Sequence, residues 1–180
     1  RKAASEYLEL GFQEKQMSKS TAQRVLLPVS LQSVAAVIGG VVVLTLSAKI
    51  QIPFWPVPLN LQTMAVMALA LGLGPRLAVA SFAAYLAAGA SGLPVFAGSP
   101  ERGVGLLYLA GPTGGYLIGM LAASWATGAL GAGRGLAARL GAMLLGIALI
   151  YGLGVTWLAL YVPAPQLLSA GIAPFILGDL

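Results

Sequence analysis

Residues 59–90 read LNLQTMAVMALALGLGPRLAVASFAAYLAAGA and contain a single charged side chain, Arg76. Two apolar runs, 59–72 and 77–90, flank the triplet Gly74-Pro75-Arg76. Glycine supplies the backbone freedom that a reversal needs, and proline removes a helix donor, so the triplet breaks the helix. Each run has about 14 residues, giving roughly 21 Å of helix against a hydrocarbon core of about 30 Å. The stretch predicts two short membrane helices in succession, with flanking loops that dip into the bilayer. Irregular backbone at that depth is tolerated where it is buried in protein or lines a cavity.

The same pattern extends in both directions. Residues 25–48 form a first uncharged run long enough to span, with Pro28 in its first turn, where a missing N–H costs little. A loop is expected from Lys49, because Pro53, Pro56 and Pro58 prevent a helix. Trp55 within that loop suits a membrane interface. Residues 91–105 read as a second loop. A fourth apolar segment, 106–131, is interrupted by Gly111-Pro112-Thr113-Gly114-Gly115-Tyr116, which either forms a turn before the helix proper or splits it. The fifth segment, 136–162, carries Arg139 near its start, placed to snorkel. Pro163-Ala164-Pro165 opens another loop, and a sixth segment begins near Pro174 and is expected to be cut short at Leu180. The fold class is therefore all-α and polytopic. A polar tail, 1–24, is expected on the cytoplasmic side, ahead of a membrane-embedded, substrate-binding domain, 25–180.

Composition limits the chemistry. The chain has 180 residues, of which 58% are hydrophobic and 8% charged, with mean hydropathy +0.89. Soluble domains carry about a quarter charged residues. Eight of the charges (Arg1, Lys2, Glu6, Glu9, Glu14, Lys15, Lys19 and Arg24) fall in the first 24 residues. A soluble enzyme, a disordered chain and a nucleic-acid binder are excluded, although the pI is about 9.8. There is no Cys and no His, Asp179 is the only Asp, and Glu101 is the only Glu outside the tail. Thiolate chemistry, Cys-ligated zinc, the commonest general base and an aspartyl dyad within the chain are absent with them. No enzyme activity, metal or cofactor is expected. No G-x-x-x-x-G-K-[ST] loop is present, so any ATPase must be a separate chain.

The basic residues fix an expected orientation. With the N-terminus inside, Arg1, Lys2, Lys15, Lys19, Arg24, Arg76, Arg134 and Arg139 face the cytoplasm, and Lys49 and Arg102 face out. The excess of positive charge is then a topology signal and calls for no acidic partner. All the Gly/Pro/aromatic-rich loops fall on the outer face, as suits a protein that captures something from outside.

At these loops the chain resembles the biotin-specific S-components of energy-coupling-factor transporters, the BioY family. The resemblance rests on Pro56-Val57-Pro58-Leu59-Asn60-Leu61-Gln62-Thr63, Gly74-Pro75-Arg76, Tyr85-Leu86 leading into Gly92-Leu93-Pro94-Val95-Phe96-Ala97-Gly98, Gly111-Pro112-Thr113-Gly114-Gly115-Tyr116, and Pro174-Phe175 with Gly178-Asp179. These stretches cover roughly 34–180 in the family's order. The resemblance implies a small protein of about six helices that binds one biotin near its outer face in a bacterial cell membrane. Its implied partners are a transmembrane coupling subunit and two cytoplasmic ATPases. In the family the chain continues past Gly-Asp with a lysine and the rest of the last helix, so the sixth helix is expected to be truncated here. The alternatives are an S-component for another small vitamin and a ligand-free structural membrane protein.

A biotin site needs an apolar pocket with a few placed polar groups, for a ureido head, a thioether ring and a carboxylate. Asp179 is a candidate acceptor for the ureido N–H groups, or else a helix cap at the interface. Gln62 and Thr63, with Asn60 beside them at the start of the second helix, either meet the ligand or bond between helices. Tyr85 and Tyr116 offer a hydroxyl and a ring wall, or interfacial anchoring. Trp55 and Phe96 are candidate lids over the thioether ring. Arg102 and Lys49 are the two outer cations available to the carboxylate, with Lys49 read as an ordinary solvated charge. Gly98, like Gly114 and Gly115, lets backbone approach a ligand or a helix. Ala35-x-x-x-Gly39 and Ala36-x-x-x-Gly40 form a small-residue face on the first helix. It either packs internally or, as the resemblance implies, docks the coupling subunit.

Overall fold

The structure, a computed structural model, describes residues 30–52, 59–101 and 103–163. The chain divides into two compact units, 1–34 and 35–180. The polar tail, Pro28, Trp55 with its prolines, Arg102 and everything from Ala164 through Asp179 lie outside the described residues.

Helix α1 is Leu31–Lys49. Its start is set by Ser30, whose Oγ accepts the Ser33 backbone N–H at 3.1 Å and so satisfies one of the helix's unpaired donors. Lys49 belongs to the helix's last turn rather than to the loop, where a cation is favoured by the helix dipole. Two residues each of β1 (Gln51–Ile52) and β2 (Leu59–Asn60) pair antiparallel, Gln51 with Asn60 and Ile52 with Leu59. Asn60 therefore precedes the next helix and does not open it.

Helix α2 runs Gln62–Ala90, with one residue out of helical conformation, Gly74 at φ 76° and ψ 174°. A straight helix would hold Gln62 and Tyr85 about 34 Å apart. Instead Gln62 Nε2 lies 3.1 Å from the Tyr85 hydroxyl. A Cβ on Gly40 would likewise meet both Leu69 and Ser81. The chain thus folds back at Gly74, the φ of which a side chain would resist, and Pro75 starts the second arm. The arms, 62–73 and 75–90, are roughly 18 Å and 24 Å long. The two short helices predicted from the sequence are present and antiparallel.

The fourth predicted segment divides into a single turn, α3 (Leu106–Leu109), and α4 (Gly114–Gly131). Residues 110–113 form a turn between them, so the Gly-Pro-Thr stretch separates two helices. Helix α5 is Leu136–Leu158. It lies antiparallel to α4, with Gly119 against Ile150 and Thr127 Oγ1 donating to the Ala142 carbonyl at 3.2 Å. Without bulk at Gly119 the backbones approach closely: a Cβ there would lie 2.7 Å from Ile150 Cα.

By length and composition, Leu31–Lys49, Gln62–Ala90 and Leu136–Leu158 are apolar enough to cross a membrane; the reversal at Gly74 means that Gln62–Ala90 is not one crossing. The architecture is all-α in a membrane protein. Its core gathers Leu44, Val66, Met67, Phe82, Tyr85, Phe96, Leu117 and Ile150. Gly128 touches Pro75, and Gly131 touches Leu71 and Arg139. The 74–76 and 132–135 turns therefore share one end, and Arg76, Arg134 and Arg139 are all exposed there. Lys49, Ala97, Ser99, Tyr108, Gly111 and Trp157 gather at the other end, where they are joined by hydrogen bonds.

Candidate functional site

The loop end is organised around residues 95–99. Three alternate carbonyls of this segment each accept a hydrogen bond from a different helix. Tyr85 of α2 donates its hydroxyl to Val95 O at 3.3 Å. Tyr108 of α3 donates to Ala97 O at 2.7 Å. Lys49 of α1 donates Nζ to Ser99 O at 2.5 Å and to Ser99 Oγ at 3.1 Å. Of the two intervening carbonyls, Phe96 O accepts the Ser99 hydroxyl at 2.7 Å. Loop carbonyls need partners when water is excluded, and here side chains supply them. Gly98, at φ 70°, makes the bend between the Ala97 and Ser99 attachment points.

Between these ties the Phe96 side chain turns inward and is fully buried. It stacks on Tyr108 at 4.7 Å and meets Tyr85 edge-on at 5.4 Å, and Tyr85 in turn leans on Phe82 at 5.6 Å. Such aromatic pairs contribute about 0.5–1.5 kcal/mol each beyond their buried area. The ring lies over Gly89: a Cβ at that position would be 2.0 Å from Phe96 Cζ.

The remaining predicted residues distribute as follows. Gln62 is buried and donates to the Tyr85 hydroxyl, so the two act as one relay, Gln62 to Tyr85 to Val95. Thr63 is half-buried beside Gln62. Tyr116 is buried on α4, against Gly154 and edge-on to Tyr151 at 6.5 Å. Beside it, Trp157 Nε1 donates to Gly111 O at 3.0 Å and the Tyr161 hydroxyl donates to Ala110 O. Gly114 and Gly115 are in tight helix packing, against Leu109 and Trp157. Phe96 is part of the core beneath the loop. Trp55, Arg102 and Asp179 lie outside the described residues.

The small-residue face of α1 is divided. Ala35 and Gly39 are exposed, Ala36 is half-buried, and a Cβ at Gly39 meets nothing within 4 Å among the described residues. Gly40 is buried, and its Cβ position falls 2.4 Å from Ser81 Oγ. Gly40 thus serves internal packing against α2.

Sequence reasoning missed Ser99, Tyr108 and Gly89, and it read Lys49 as solvated. A lysine closing an apolar helix was a visible signal, but its acceptor lies fifty residues away. The amide, hydroxyl and ammonium donors of this end are engaged by one another and by the 95–99 carbonyls, beside an aromatic wall. Among the described residues no three His, Cys, Asp or Glu side chains form a metal-binding group.

The chain is 38% identical over 136 residues to a probable biotin transporter BioY of Pyrococcus horikoshii, covering 76% of this chain and 80% of that protein. It is 38% identical over 139 residues to the biotin transporter BioY of Thermotoga maritima, with the same coverage of 76% and 80%. Among solved structures it resembles the S-component for biotin from an ECF-type ABC transporter, with TM-score 0.66 and 25% identity over 83% of this chain and 82% of that one. The BioY family model matches residues 17–180, and the chain belongs to the BioY family.

Proposed function

We propose that this protein is the substrate-binding membrane subunit of a biotin importer, capturing biotin at its outer face for uptake driven by separate ATPase subunits. The observation that carries the reading is the preorganised 95–99 segment, tied to three helices over an aromatic wall, at the loop end of a fold shared with an S-component for biotin. Binding sites of this kind are apolar, with a few oriented polar groups. The protein is a transporter subunit and not an enzyme.

The orientation is N-terminus inside, in the cell membrane of a bacterium. Arg76, Arg134 and Arg139 share one end, and Lys49 is at the other, which supports placing the loop end outside. Gln62 and Tyr85 form the floor of the site together with Thr63 and Tyr116. Trp55 flanks the thioether ring, Phe96 supports the site from the core beneath the loop, and Gly98 brings backbone close to the ligand. Arg102 takes the carboxylate and Asp179 accepts from the ureido group. The exposed Ala35 and Gly39, next to Ala36, form the face that docks the transmembrane coupling subunit, which links the chain to two cytoplasmic ATPases.

The direct test is a thermal shift of the detergent-solubilised protein. A ligand that binds only the folded state adds about 2.7 kcal/mol at a hundred times its Kd. Biotin is expected to raise the melting temperature, while thiamine and riboflavin leave it unchanged. A shift with one of those vitamins and none with biotin would assign the chain to another substrate. No shift with any vitamin would favour a ligand-free structural role.

A further inference from the structure

From these contacts we infer that Lys49 is a positioning residue for ligand binding, acting through Ser99 to hold the 95–99 segment in its binding geometry. The inference rests on the proposed biotin-binding role. The three carbonyl ties are not equivalent. Tyr85 is fully buried and Tyr108 half-buried, both within the aromatic stack that includes Phe96. Their hydroxyls are held in place by ring packing that a loop movement would have to dismantle. Lys49 is exposed as a residue, and its ammonium reaches Ser99 on a flexible four-carbon stem.

Ser99 is buried, and its carbonyl and hydroxyl both accept from the same ammonium. No carboxylate among the described residues pairs with Lys49, so its charge is directed at Ser99 alone within that set. Hydrogen bonds from a charged donor are stronger than neutral ones. Gly98 at φ 70° sits between the tyrosine-held Ala97 and the lysine-held Ser99. Ser99 also donates its hydroxyl and its backbone N–H to Phe96 O, so the lysine adds the one tie that joins the segment beyond Gly98 to α1 among the described residues. It also makes the end of α1 part of the site, although α1 contributes no ring to the aromatic wall.

The test measures biotin association and dissociation rates on the purified full chain, with K49M, K49R, S99A and the double replacement K49M/S99A. K49M is expected to speed dissociation about tenfold, the order expected when a hydrogen bond to a charged group is lost, while the ligand-free melting temperature stays within a degree or two of the parent. K49R, which keeps charged donors for Ser99, is expected to restore most of the slow dissociation. S99A is expected to have a smaller effect, and the double replacement less than the product of the two singles. Biotin methyl ester separates positioning from direct contact, since a positioning lysine gives the same fold loss for ester and acid. An effect of K49M confined to the free acid would make Lys49 a carboxylate ligand and overturn the inference. Unchanged dissociation in K49M, or effects of K49M and S99A that multiply independently, would overturn it too. If K49M fails to fold, K49A takes its place, and parent-like dissociation in K49A then refutes the inference, because S99A keeps the carbonyl that Lys49 also binds. Failure of the parent protein to bind biotin would refute the proposed function, and the inference with it.

Discussion

Adding one methyl group at Gly40 tests how α1 is seated. The new Cβ would lie 2.4 Å from Ser81 Oγ and 2.6 Å from Ser81 Cβ. Ordinary carbon contacts lie at about 3.5–4.0 Å, so the two helices would have to part by about 1 Å. Turning the Ser81 hydroxyl relieves the first contact but not the second, because Cβ is fixed to the backbone. Parting the helices also loosens Leu44, which is buried one turn further along α1. Overpacking of this kind costs about 1–3 kcal/mol. Gly39 is the internal control, since its Cβ would enter open space among the described residues. There Ala gains up to about 1 kcal/mol in helix propensity over Gly. Thermal unfolding in one detergent should therefore place G39A at or above the parent and G40A clearly below it. Replacing Ser81 by Gly in the G40A background removes the opposing Cβ. The pair should lose less than the sum of its singles, because the small residue has only moved across the interface. If G40A and G39A melt together, or if the Ser81 replacement is additive with G40A, the seating of α1 against α2 is wrong.

Three further outcomes follow from the site. Gly89→Ala should evict the Phe96 ring, whose Cζ would be 2.0 Å from the new methyl, and lower stability by about 3–5 kcal/mol in denaturation, on the scale of losing a buried aromatic; a parent-like melting curve would refute the burial of Phe96. Tyr85→Phe removes the hydroxyl shared by Gln62 and Val95, with an expected cost of about 1–3 kcal/mol for the buried groups left without it, and hydrogen exchange at residues 95–97 should rise. Asp179→Ala is expected to weaken biotin binding by about 1.5–3 kcal/mol, the usual worth of a hydrogen bond to a charged group; titration calorimetry showing parent affinity in a folded protein would leave Asp179 as a helix cap.

Much of the fold was legible in the sequence because membranes simplify the code. Apolar runs, their lengths and their punctuation by Gly-Pro pairs follow from the cost of exposing backbone to lipid. Gly74-Pro75-Arg76 therefore announced a reversal, and the structure has it at Gly74. The local chemistry of Gly111-Pro112-Thr113 fits either a turn or a split helix, because glycine permits a turn without requiring one. The candidate site was legible as a set of loops and an aromatic inventory. The resemblance, also read from loop motifs, named the family that the comparisons then showed.

Tertiary structure decided what each of those side chains is for. Lys49, Tyr85 and Tyr108 are 23 to 59 residues apart in pairs along the chain, and nothing local in any of them specifies that their donors converge on alternate carbonyls of 95–99. Gly39 and Gly40 are adjacent and chemically identical, yet one faces outward and the other packs on Ser81. A helix turns about 100° per residue, so neighbours point to different partners. Which partner each meets depends on where the second arm of α2 returns after Gly74. The reversal there follows from the local backbone preferences of glycine and proline alone. Only the packing of the returned arm decided which glycine of α1 is closed and where the lysine at the end of α1 finds its acceptor, because those contacts join segments that the chain's local chemistry does not relate.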